Sequence, residues 1–460
     1  MLSTNHFDAF SKIVGADNCY ADQAHRQAYS YDATRQSFLP DAVIFPRDEN
    51  DVRAVLSYAN QHKIPIVARG AGSGFTGGSL SVEGGAILAL EKYMNKILEI
   101  DLENMIARVQ PAVINKDLQN AVEAEGLFYP PDPASQDYST IGGNVSENAG
   151  GMRAAKYGIT KNFVLALRAV LPNGELIRAG KKTIKDVAGY NIVGLLTASE
   201  GTLAVITEIT LKLLPKPRMT LTAMGIFPSV SAAMNATYRS FVNGVTPVAM
   251  EFLDNLTIRA VENAYKKGLP TDAGALLIVE VDGNIEADIK WQIETIEKVF
   301  KENGCAAFFI AQNDMERDAI WFARRNASQS LKVYGPTKLN EDITVPRSAL
   351  PELLSRIEAI GKKYDHQIPC FGHTGDGNVH VNVMTNRQDA VRYHNAEKAI
   401  REIFETAIEL EGTLSGEHGI GVSKAPFMQL AFSPSEMNLF RTIKNALDPN
   451  NILNPSKMGL

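Results

Sequence analysis

Two histidines and a glutamate stand out in the C-terminal half because they fall in two short, glycine-flanked motifs. His373 and His380 lie in the run Phe-Gly-His-Thr-Gly-Asp-Gly-Asn-Val-His-Val-Asn-Val, and Glu417 lies in Gly-Glu-His-Gly. Two imidazoles and a carboxylate, with a fourth position for water or substrate, are the ligand set of an open catalytic zinc or related divalent site. The alternative is that each histidine is a structural residue. The joint pattern favours metal binding by these three residues, and it leaves the neighbouring His418 to act as a base.

A strand and a turn must position the two histidines. Valines alternate at positions 379, 381 and 383, so His380 and Asn382 are predicted on the opposite face of one strand. The Gly375-Asp-Gly377 turn can fold His373 back beside them. Upstream, Arg324 and Arg325 are candidates for gripping a carboxylate through a bidentate guanidinium fork. The alternative for this arginine pair is a solvated helix face.

Two glycine-rich stretches in the N-terminal half predict a binding site for a large cofactor. In the first, Arg69–Ser79, Gly72-x-Gly74-x-x-Gly77 matches the dinucleotide fingerprint, but the next predicted element is a strand, Ala86–Leu90, and not the helix that a Rossmann site needs. Its backbone N–H groups can still form an anion nest for phosphate. The second stretch, residues 130–158, predicts a glycine wall around the cofactor, with an irregular surface loop as the alternative.

Whole-chain properties exclude several classes of function. The 460 residues predict two to four domains, and a formal net charge of −6 argues against a nucleic-acid partner. Three scattered cysteines exclude an iron–sulfur cluster ligated by this chain alone. The N-terminus has no basic region followed by an apolar core, and no apolar run reaches a membrane-spanning length. We therefore expect a cytoplasmic protein, peripheral at the inner membrane at most.

The hydrophobic pattern changes character near position 217. Strands at 42–45 and 64–68 around a helix from about Asp51 predict a β-α-β unit, and Asn173-Gly174 predicts a hairpin. Beyond Pro215-Lys-Pro217, strands at 275–281 and 306–310 alternate with helices at 285–303 and 393–410. This pattern predicts an α+β domain with a mainly antiparallel sheet. The predicted domains are 1–217, 218–412 and a C-terminal segment, 413–460.

Together these segments resemble the FAD-linked oxidases of the vanillyl-alcohol oxidase / p-cresol methylhydroxylase superfamily. Arg69–Ser79 matches the pyrophosphate loop, Ile141–Gly151 the second flavin loop, and Ser199–Thr202 and Asn454 further flavin contacts. The histidine motifs match the branch that holds the glycolate oxidase catalytic subunit and the D-lactate and D-2-hydroxyglutarate dehydrogenases. The resemblance implies an α+β fold: a two-subdomain FAD-binding domain of p-cresol methylhydroxylase type plus an α+β cap (substrate) domain with a mainly antiparallel sheet.

The resemblance also implies roles for single residues. His373, His380 and Glu417 would bind a divalent metal, Zn²⁺ first and Mn²⁺, Fe²⁺ or Co²⁺ as alternatives. Arg324 would hold the substrate carboxylate, Asn382 would help to hold substrate, and His418 would be the base. No histidine stands where some relatives attach flavin, so we expect non-covalent FAD. The expected FAD-binding residues are Pro46, Arg69, Gly70, Ala71, Gly72, Ser73, Gly74, Gly77, Gly78, Ser79, Pro131, Asp132, Thr140, Gly142, Gly143, Asn144, Asn148, Ala149, Gly150, Gly151, Tyr157, Gly158, Glu200, Gly201, Ile206 and Asn454.

One departure from the family pattern bears on the substrate. Dicarboxylate-specific relatives place a lysine where this chain has Asn340, with Lys338 two residues away. We therefore expect a dehydrogenase for D-lactate or glycolate, with D-2-hydroxyglutarate dehydrogenase or a non-catalytic flavin subunit as alternatives. A zinc hydrolase would use the histidines but not the two glycine loops. The electron acceptor is expected to be a quinone, an electron-transfer flavoprotein or an iron–sulfur subunit, and the chain a homodimer or a subunit of a larger complex.

Overall fold

The computed structural model describes residues 2–460 and contains strands and helices throughout. The strands are β1 (Cys19–Tyr20), β2 (Ala42–Ile44), β3 (Ile66–Arg69), β4 (Ala86–Ala89), β5 (Ile97–Asp101), β6 (Ile106–Val109), β7 (Leu127–Phe128), β8 (Val164–Val170), β9 (Leu176–Gly180), β10 (Val205–Lys212), β11 (Leu214–Pro215), β12 (Met219–Phe227), β13 (Ala249–Asp254), β14 (Ala275–Gly283), β15 (Ala307–Ile310), β16 (Thr337–Thr344), β17 (Cys370–His373) and β18 (Asn378–Thr385). The helices are α1 (Thr4–Val14), α2 (Gln23–Ala28), α3 (Glu49–His62), α4 (Asn115–Ala124), α5 (Ile141–Glu147), α6 (Ala154–Tyr157), α7 (Ile192–Leu196), α8 (Val230–Val242), α9 (Asn255–Tyr265), α10 (Glu286–Glu302), α11 (Asp314–Ser330), α12 (Leu350–Tyr364), α13 (Ala390–Glu409), α14 (Met428–Ala431) and α15 (Pro434–Leu447).

The chain divides into two compact units. The first unit comprises residues up to Gly150 together with Ile159–Lys216 and Glu417–Leu460, and the second comprises Gly151–Gly158 and Pro217–Gly416. No helix within residues 2–460 is both long and apolar enough to cross a lipid bilayer.

The first unit contains the predicted β-α-β element. Its four-stranded sheet has the order β1-β2-β4-β3, in which β2, β4 and β3 run parallel. Helix α3 connects β2 to β3, and its N-terminus is capped by the Asp48 side chain, which accepts hydrogen bonds from the N–H groups of Asn50 and Asp51. Its apolar side chains recur at helical spacing and enter the core beneath the sheet, which confirms the prediction.

A second sheet of the first unit is antiparallel, with the order β5-β6-β10-β8-β9. Strands β8 and β9 form the hairpin predicted at Asn173-Gly174. Gly174 adopts φ = 85°, and the Leu171 N–H donates to the Glu175 carbonyl at 2.9 Å. Glycine suits this turn because a positive φ carries little steric cost there.

The second glycine-rich stretch is partly helical, and the sequence analysis did not predict this helix. Helix α5 begins after Thr140, whose side chain caps the Gly143 N–H, and ends at Asn148, which takes a left-handed conformation (φ = 54°). Gly142 is required by packing, because a Cβ there would lie 2.6 Å from Cβ of Pro111 and 2.8 Å from its carbonyl oxygen. These glycines therefore allow a helix to approach a neighbouring loop closely, which glycine content alone did not reveal.

The second unit is built on a seven-stranded sheet of order β15-β12-β14-β13-β17-β18-β16. All of its described strand pairs are antiparallel, which confirms the predicted sheet type. Helices α10 and α13 correspond to the two predicted helices. Helix α13 begins three residues before the predicted start because Asp389 caps it, accepting from the Arg392 N–H at 3.0 Å.

Helix α11 packs on β12 and β13 of this sheet. Asn313 caps its N-terminus by accepting from the Glu316 N–H, and acidic residues in its first turn favour the helix dipole. Trp321, Ala323 and Ala327 are buried along its inner side. The helix thereby brings one arginine, Arg324, to Glu251 on β13.

Candidate active site

The predicted turn brings His373 and His380 together in the second unit. His373 ends β17 and His380 lies in β18, and their Nε2 atoms are 3.4 Å apart. In the intervening turn, the Asp376 N–H donates to the His373 carbonyl, and Gly377 adopts φ = 88°. Both imidazoles are buried. The prediction that the glycine turn folds His373 back beside His380 is confirmed.

The spacing of the two imidazoles fits a shared metal ion. Two nitrogens bound tetrahedrally to Zn²⁺ at about 2.0–2.1 Å lie about 3.4 Å from each other. The observed Nε2–Nε2 distance is also 3.4 Å. The donor chemistry and the geometry of this pair therefore fit a divalent ion of the predicted class.

Glu251 on β13 is the site residue that sequence reasoning missed. Its side chain is fully buried, and its Oε1 lies 2.6 Å from His373 Nδ1. Its other oxygen, Oε2, accepts from Arg324 Nε at 2.6 Å. A signal did exist, because a charged residue within the apolar run Ala-Met-Glu-Phe-Leu is rarely buried without a partner.

The two adjacent arginines of α11 have different environments. The Arg324 side chain is 11% exposed, and its guanidinium carbon lies 4.9 Å from the centre of the Phe371 ring. Arg325 is about half exposed and pairs with Asp318, so the solvated-face interpretation applies to it alone. Among the described residues, no acceptor pairs with Nη1 or Nη2 of Arg324, so these two nitrogens can accommodate a ligand carboxylate.

Two asparagines on paired strands share the sheet face of His380. Asn340 of β16 is the register partner of Asn382 of β18, and within residues 2–460 their Oδ1 atoms are buried without a hydrogen bond. The Asn382 Nδ2 donates to the carbonyls of Pro369 and His380. Exchanging its amide oxygen and nitrogen would set oxygen against those carbonyls, so Oδ1 is left for a ligand donor.

Lys338 shares the face of Asn340 because positions two apart on a strand point the same way. It is the register partner of Met384, and its Nζ bonds to Ser328 Oγ at 2.5 Å. Lys338 is thus two residues from Asn340, the position at which dicarboxylate-specific relatives carry a lysine.

Glu417 and His418 belong to the first unit, where they lie beside the first glycine loop. The Thr76 hydroxyl donates to the His418 carbonyl at 3.1 Å, and the His418 and Phe75 rings are 5.1 Å apart. A Cβ on Gly150 would lie 2.9 Å from Glu417 Oε2, so glycine makes room for that carboxylate.

The residue before Glu417 is fixed within the second unit. The Gly416 N–H donates to Asp342 Oδ2 at 2.9 Å. Asp342 is in turn the register partner of His380. The backbone leading into Glu417 therefore starts from the strand next to a predicted metal ligand.

The first unit has the features of a cofactor cradle. The Arg69–Ser79 loop contains no helix, as predicted, and Gly72 and Gly77 have positive φ. Within the described residues, Ser79 Oγ and Asn454 Oδ1 are buried without hydrogen-bond partners, while Asn454 Nδ2 donates to the carbonyls of Gly78 and Glu200. Buried acceptors and donors that the protein leaves unsatisfied fit a polar cofactor such as FAD.

Two charged residues, Arg69 and Glu200, hold the backbone of this cradle through hydrogen bonds. The Arg69 guanidinium donates to the Tyr31 carbonyl at 2.7 Å and to the Ser79 carbonyl at 3.4 Å, so its side chain links the two ends of the Arg69–Ser79 loop. The Glu200 carboxylate accepts from the N–H groups of Ile420 and Gly421, each at 2.7 Å. Burial raises the pKa of Glu200 above its ordinary value, and these two N–H groups oppose that rise.

The predicted cofactor residues fall in both units. Tyr157 and Gly158 lie at the end of α6 in the second unit, where the Tyr157 hydroxyl donates to Asp282 at 2.7 Å. Gly151 begins the same short segment of the second unit. The remaining predicted residues are in the first unit: Pro46 after β2, Arg69 to Gly74 and Gly77 to Ser79 from the end of β3 towards β4, Pro131 and Asp132 after β7, Thr140 and Gly142 to Asn144 at the start of α5, Asn148 to Gly150 after it, Glu200 and Gly201 before β10, Ile206 in β10, and Asn454 near the C-terminus.

Comparison with known proteins places these observations in a family. The chain matches the family models "FAD binding domain" over residues 40–180 and "FAD linked oxidases, C-terminal domain" over residues 216–458. Glycolate oxidase subunit GlcD of Bacillus subtilis (strain 168) is 43% identical over 459 residues, which cover 100% of this chain and 97% of that protein. D-lactate dehydrogenase of Anaerostipes hadrus is 32% identical over 455 residues, 97% and 94% of the two chains.

A solved structure supports the predicted fold. p-Cresol methylhydroxylase with substrate bound superposes with a TM-score of 0.81 at 18% identity, covering 100% of this chain and 98% of that one. The predicted α+β fold of p-cresol methylhydroxylase type, with FAD-binding and cap domains, is thereby confirmed.

Proposed function

The chain belongs to the family of FAD-linked oxidases, and within it we propose that the protein is a FAD-dependent D-2-hydroxy-acid dehydrogenase acting on D-lactate or glycolate. The observation that carries the proposal is that a histidine pair with metal-ligand spacing and an arginine are grouped around Glu251. His373 and His380 have metal-ligand spacing, and Arg324 offers two guanidinium nitrogens. A 2-hydroxy acid offers the matching groups, an anionic carboxylate and a neighbouring hydroxyl.

FAD, when bound, supplies the acceptor for the hydride that leaves the α-carbon of the substrate. The backbone N–H groups of the Arg69–Ser79 loop would hold its pyrophosphate as an anion nest. Ser79 and Asn454 would satisfy their buried oxygens on the cofactor.

A divalent ion would be held by His373 Nε2, His380 Nε2 and the Glu417 carboxylate. The chemistry it supplies is that of a Lewis acid that lowers the pKa of the substrate hydroxyl. Support comes from the imidazole spacing and from the anchoring of Gly416, after which Glu417 follows directly.

Arg324 binds and orients the substrate carboxylate in this proposal. Its Nε is occupied by Glu251, so the carboxylate would meet the two Nη groups end-on. Asn382 would receive a hydrogen bond at its buried Oδ1. His418 would remove the hydroxyl proton as general base, held by Thr76 through its backbone carbonyl and flanked by the Phe75 ring.

The neutral Asn340 favours a monocarboxylate over a dicarboxylate, because it offers no charge to a second carboxylate. D-2-Hydroxyglutarate stays as the second candidate substrate because Lys338 lies on the same face of β16. The relatives named as a glycolate oxidase subunit support membership of a larger complex. Electrons would then leave to a quinone, an electron-transfer flavoprotein or an iron–sulfur subunit.

A dye-reduction assay tests the proposal with four acids: D-lactate, L-lactate, glycolate and D-2-hydroxyglutarate. We expect reduction with D-lactate or glycolate, a strong preference for D- over L-lactate, and yellow protein that releases FAD on acid precipitation. A higher kcat/KM for D-2-hydroxyglutarate would overturn the monocarboxylate assignment. Flavin that stays on the denatured chain would overturn non-covalent binding.

A further inference from the structure

We propose that Glu251 is a positioning residue that orients both the proposed metal ligand His373 and the proposed substrate-binding residue Arg324. One oxygen of its carboxylate fixes the tautomer and orientation of His373, and the other fixes the orientation of Arg324. Metal affinity and substrate-carboxylate binding then depend on one buried side chain. The inference rests on the proposed function and deepens it, because it adds a residue that contacts both a proposed metal ligand and the proposed substrate arginine.

The histidine side of the arrangement follows from hydrogen-bond chemistry. A carboxylate can only accept, so the 2.6 Å contact with Glu251 Oε1 requires the proton of His373 to lie on Nδ1. The Nε2 lone pair is then left on the side where His380 Nε2 lies 3.4 Å away. A carboxylate on the far nitrogen of a ligating histidine is the usual means of fixing its tautomer and ring orientation.

The arginine side uses the second oxygen of the same carboxylate. Glu251 Oε2 accepts from Nε of Arg324 and not from its terminal nitrogens. The Phe371 ring lies below the guanidinium, with the guanidinium carbon 4.9 Å from the ring centre. Nε and one flat face are therefore held, and both Nη groups are directed elsewhere.

Strand pairing explains why one residue can serve both partners. Glu251 on β13 is the register partner of His373 on β17, so the two side chains stand on the same sheet face at adjacent strands. Helix α11 packs on β13 and brings Arg324 to that face. The carboxylate thus lies between a strand neighbour and a helix residue.

No close substitute can keep both contacts. Glutamine has one acceptor oxygen and one NH₂ group, so it can accept from either His373 or Arg324 while presenting a donor to the other. Aspartate keeps the charge, but its chain is one methylene shorter. The double contact therefore requires both the charge and the length of glutamate.

A purely structural ion pair with Arg324 is the competing explanation, and Glu280 provides the matched control. Glu280 of β14 stands on the same face as Glu251, since it is the register partner of Ala249. Its carboxylate accepts from Thr222 Oγ1 at 2.7 Å and from Trp321 Nε1 at 3.2 Å. Trp321 is one turn before Arg324 in α11, so losing this carboxylate disturbs the same helix without touching either histidine.

The experiment compares full-length wild type, Glu251→Gln, Glu251→Asp and Glu280→Gln. Each is stripped of metal, and its affinity for Zn²⁺ is measured by competition with a chromogenic chelator. Added Co²⁺ then reports the ligand geometry through its visible absorption bands. Loss of a carboxylate partner behind a metal histidine typically lowers affinity about 10–100-fold, and we expect that range for Glu251→Gln. Glu280→Gln should bind Zn²⁺ like wild type and give the same Co²⁺ spectrum.

Steady-state kinetics with Zn²⁺ in excess separates the effect of Glu251 on Arg324 from its effect on metal affinity. With the metal saturated, Glu251→Gln should raise KM for D-lactate by about tenfold, the scale of one weakened charged contact. If Glu251→Gln does not fold, Glu251→Asp replaces it, with the same direction of change expected in Zn²⁺ affinity and KM. Folded Glu251 variants with wild-type Zn²⁺ affinity and KM would overturn the inference.

The inference and the proposed function fail differently. Wild type that binds no Zn²⁺, Co²⁺ or Mn²⁺ and oxidises no 2-hydroxy acid would refute the proposed function, and the inference with it. Wild type that binds metal and oxidises D-lactate, beside Glu251 and Glu280 variants with equal losses, would refute the inference alone.

Discussion

The two units present ligands in different ways. In the first unit, the Arg69–Ser79 loop and helix α5 offer mostly backbone groups, and glycines let those groups approach a neighbour closely. In the second unit, the candidate site consists of side chains on β13, β16, β17, β18 and α11. Ligand binding by backbone groups depends on the local fold and is impaired when a substitution alters packing. Ligand binding by side chains is lost when a single functional group is removed. Substitutions should therefore separate the two kinds of site.

The largest expected effect of a single substitution is in the histidine pair. His373→Ala or His380→Ala removes one of the proposed metal ligands, so the bound metal should be lost and activity should fall to background. FAD content should stay at the wild-type level, because neither histidine is among the expected FAD-binding residues. Metal analysis and the visible flavin spectrum of the same preparation check both parts. Loss of FAD along with the metal would contradict the separation of the two sites.

His418→Ala should lower activity while leaving both ligands bound. A positioned base typically contributes about 10²–10⁴-fold, and we expect a loss of that size in kcat/KM for D-lactate. Metal and FAD contents should match wild type, because His418 is neither a proposed metal ligand nor an expected FAD-binding residue, and the Thr76 hydroxyl bonds its backbone carbonyl and not its side chain. A variant that is nearly as active as wild type, or that loses its metal, would show that the role is assigned wrongly.

The partly buried carboxylate of Asp254, at the end of β13 in the second unit, should make the stability of the protein depend on pH. Burial raises the pKa of Asp254 from 3.8 to about 6, even though it accepts hydrogen bonds from Thr257 and the Cys370 N–H. Asp254 therefore binds a proton more tightly in the folded protein than in the unfolded chain. The contribution of Asp254 to the free energy of unfolding is lowest above pH 6 and rises as the pH falls from about 6 to about 4.

Asp254→Asn isolates this contribution. The variant keeps an oxygen that can cap α9 but cannot titrate, so its unfolding free energy should lack the rise between pH 6 and pH 4. The difference should reach about 3 kcal/mol at most, from about two units of pKa shift. Chemical denaturation at several pH values measures it, and identical profiles for variant and wild type would contradict the assignment.

The sequence predicted the histidine site better than the second glycine stretch, for a physical reason. His380 and Asn382 follow from strand parity, and His373 follows from a turn that only glycines favour. Helix α5 was missed because Gly142 and Gly143 weaken helix propensity, and the gain that offsets this is close packing on Pro111, far away in sequence. Glu251 was missed likewise, since its partners come from β17 and α11.

Packing at α5 can be tested by adding a methyl group. Gly142→Ala places a Cβ against Pro111 backbone, so it should lower the free energy of unfolding by about 1–3 kcal/mol, as overpacking does, and weaken FAD retention. Gly143→Ala is the neighbouring control, since its Cβ would meet only Thr140 Oγ1, at 3.1 Å. Thermal unfolding compares the two variants, and flavin release during gel filtration is followed for Gly142→Ala against wild type. Equal behaviour would refute the packing explanation for Gly142.

The smallest expected effect concerns substrate choice. Asn340→Lys adds a cation to the face shared with Asn382 and Lys338. The ratio of kcat/KM for D-2-hydroxyglutarate to that for D-lactate should rise by about tenfold, the scale of one added charge contact of about 1.4 kcal/mol. Asn340→Gln, which adds length without charge, is the control. An unchanged ratio would place the selectivity elsewhere.

Anaerobic reduction of the bound flavin tests the central claim most directly. Purified protein is mixed with D-lactate, L-lactate or glycolate without an electron acceptor, before and after removal of metal by a chelator, and the visible flavin absorbance is followed. The account predicts rapid bleaching by D-lactate or glycolate, little with L-lactate, and loss of bleaching in the chelated sample until Zn²⁺ or Mn²⁺ is restored. Flavin that no 2-hydroxy acid bleaches, or that bleaches equally fast after complete metal removal, would contradict it.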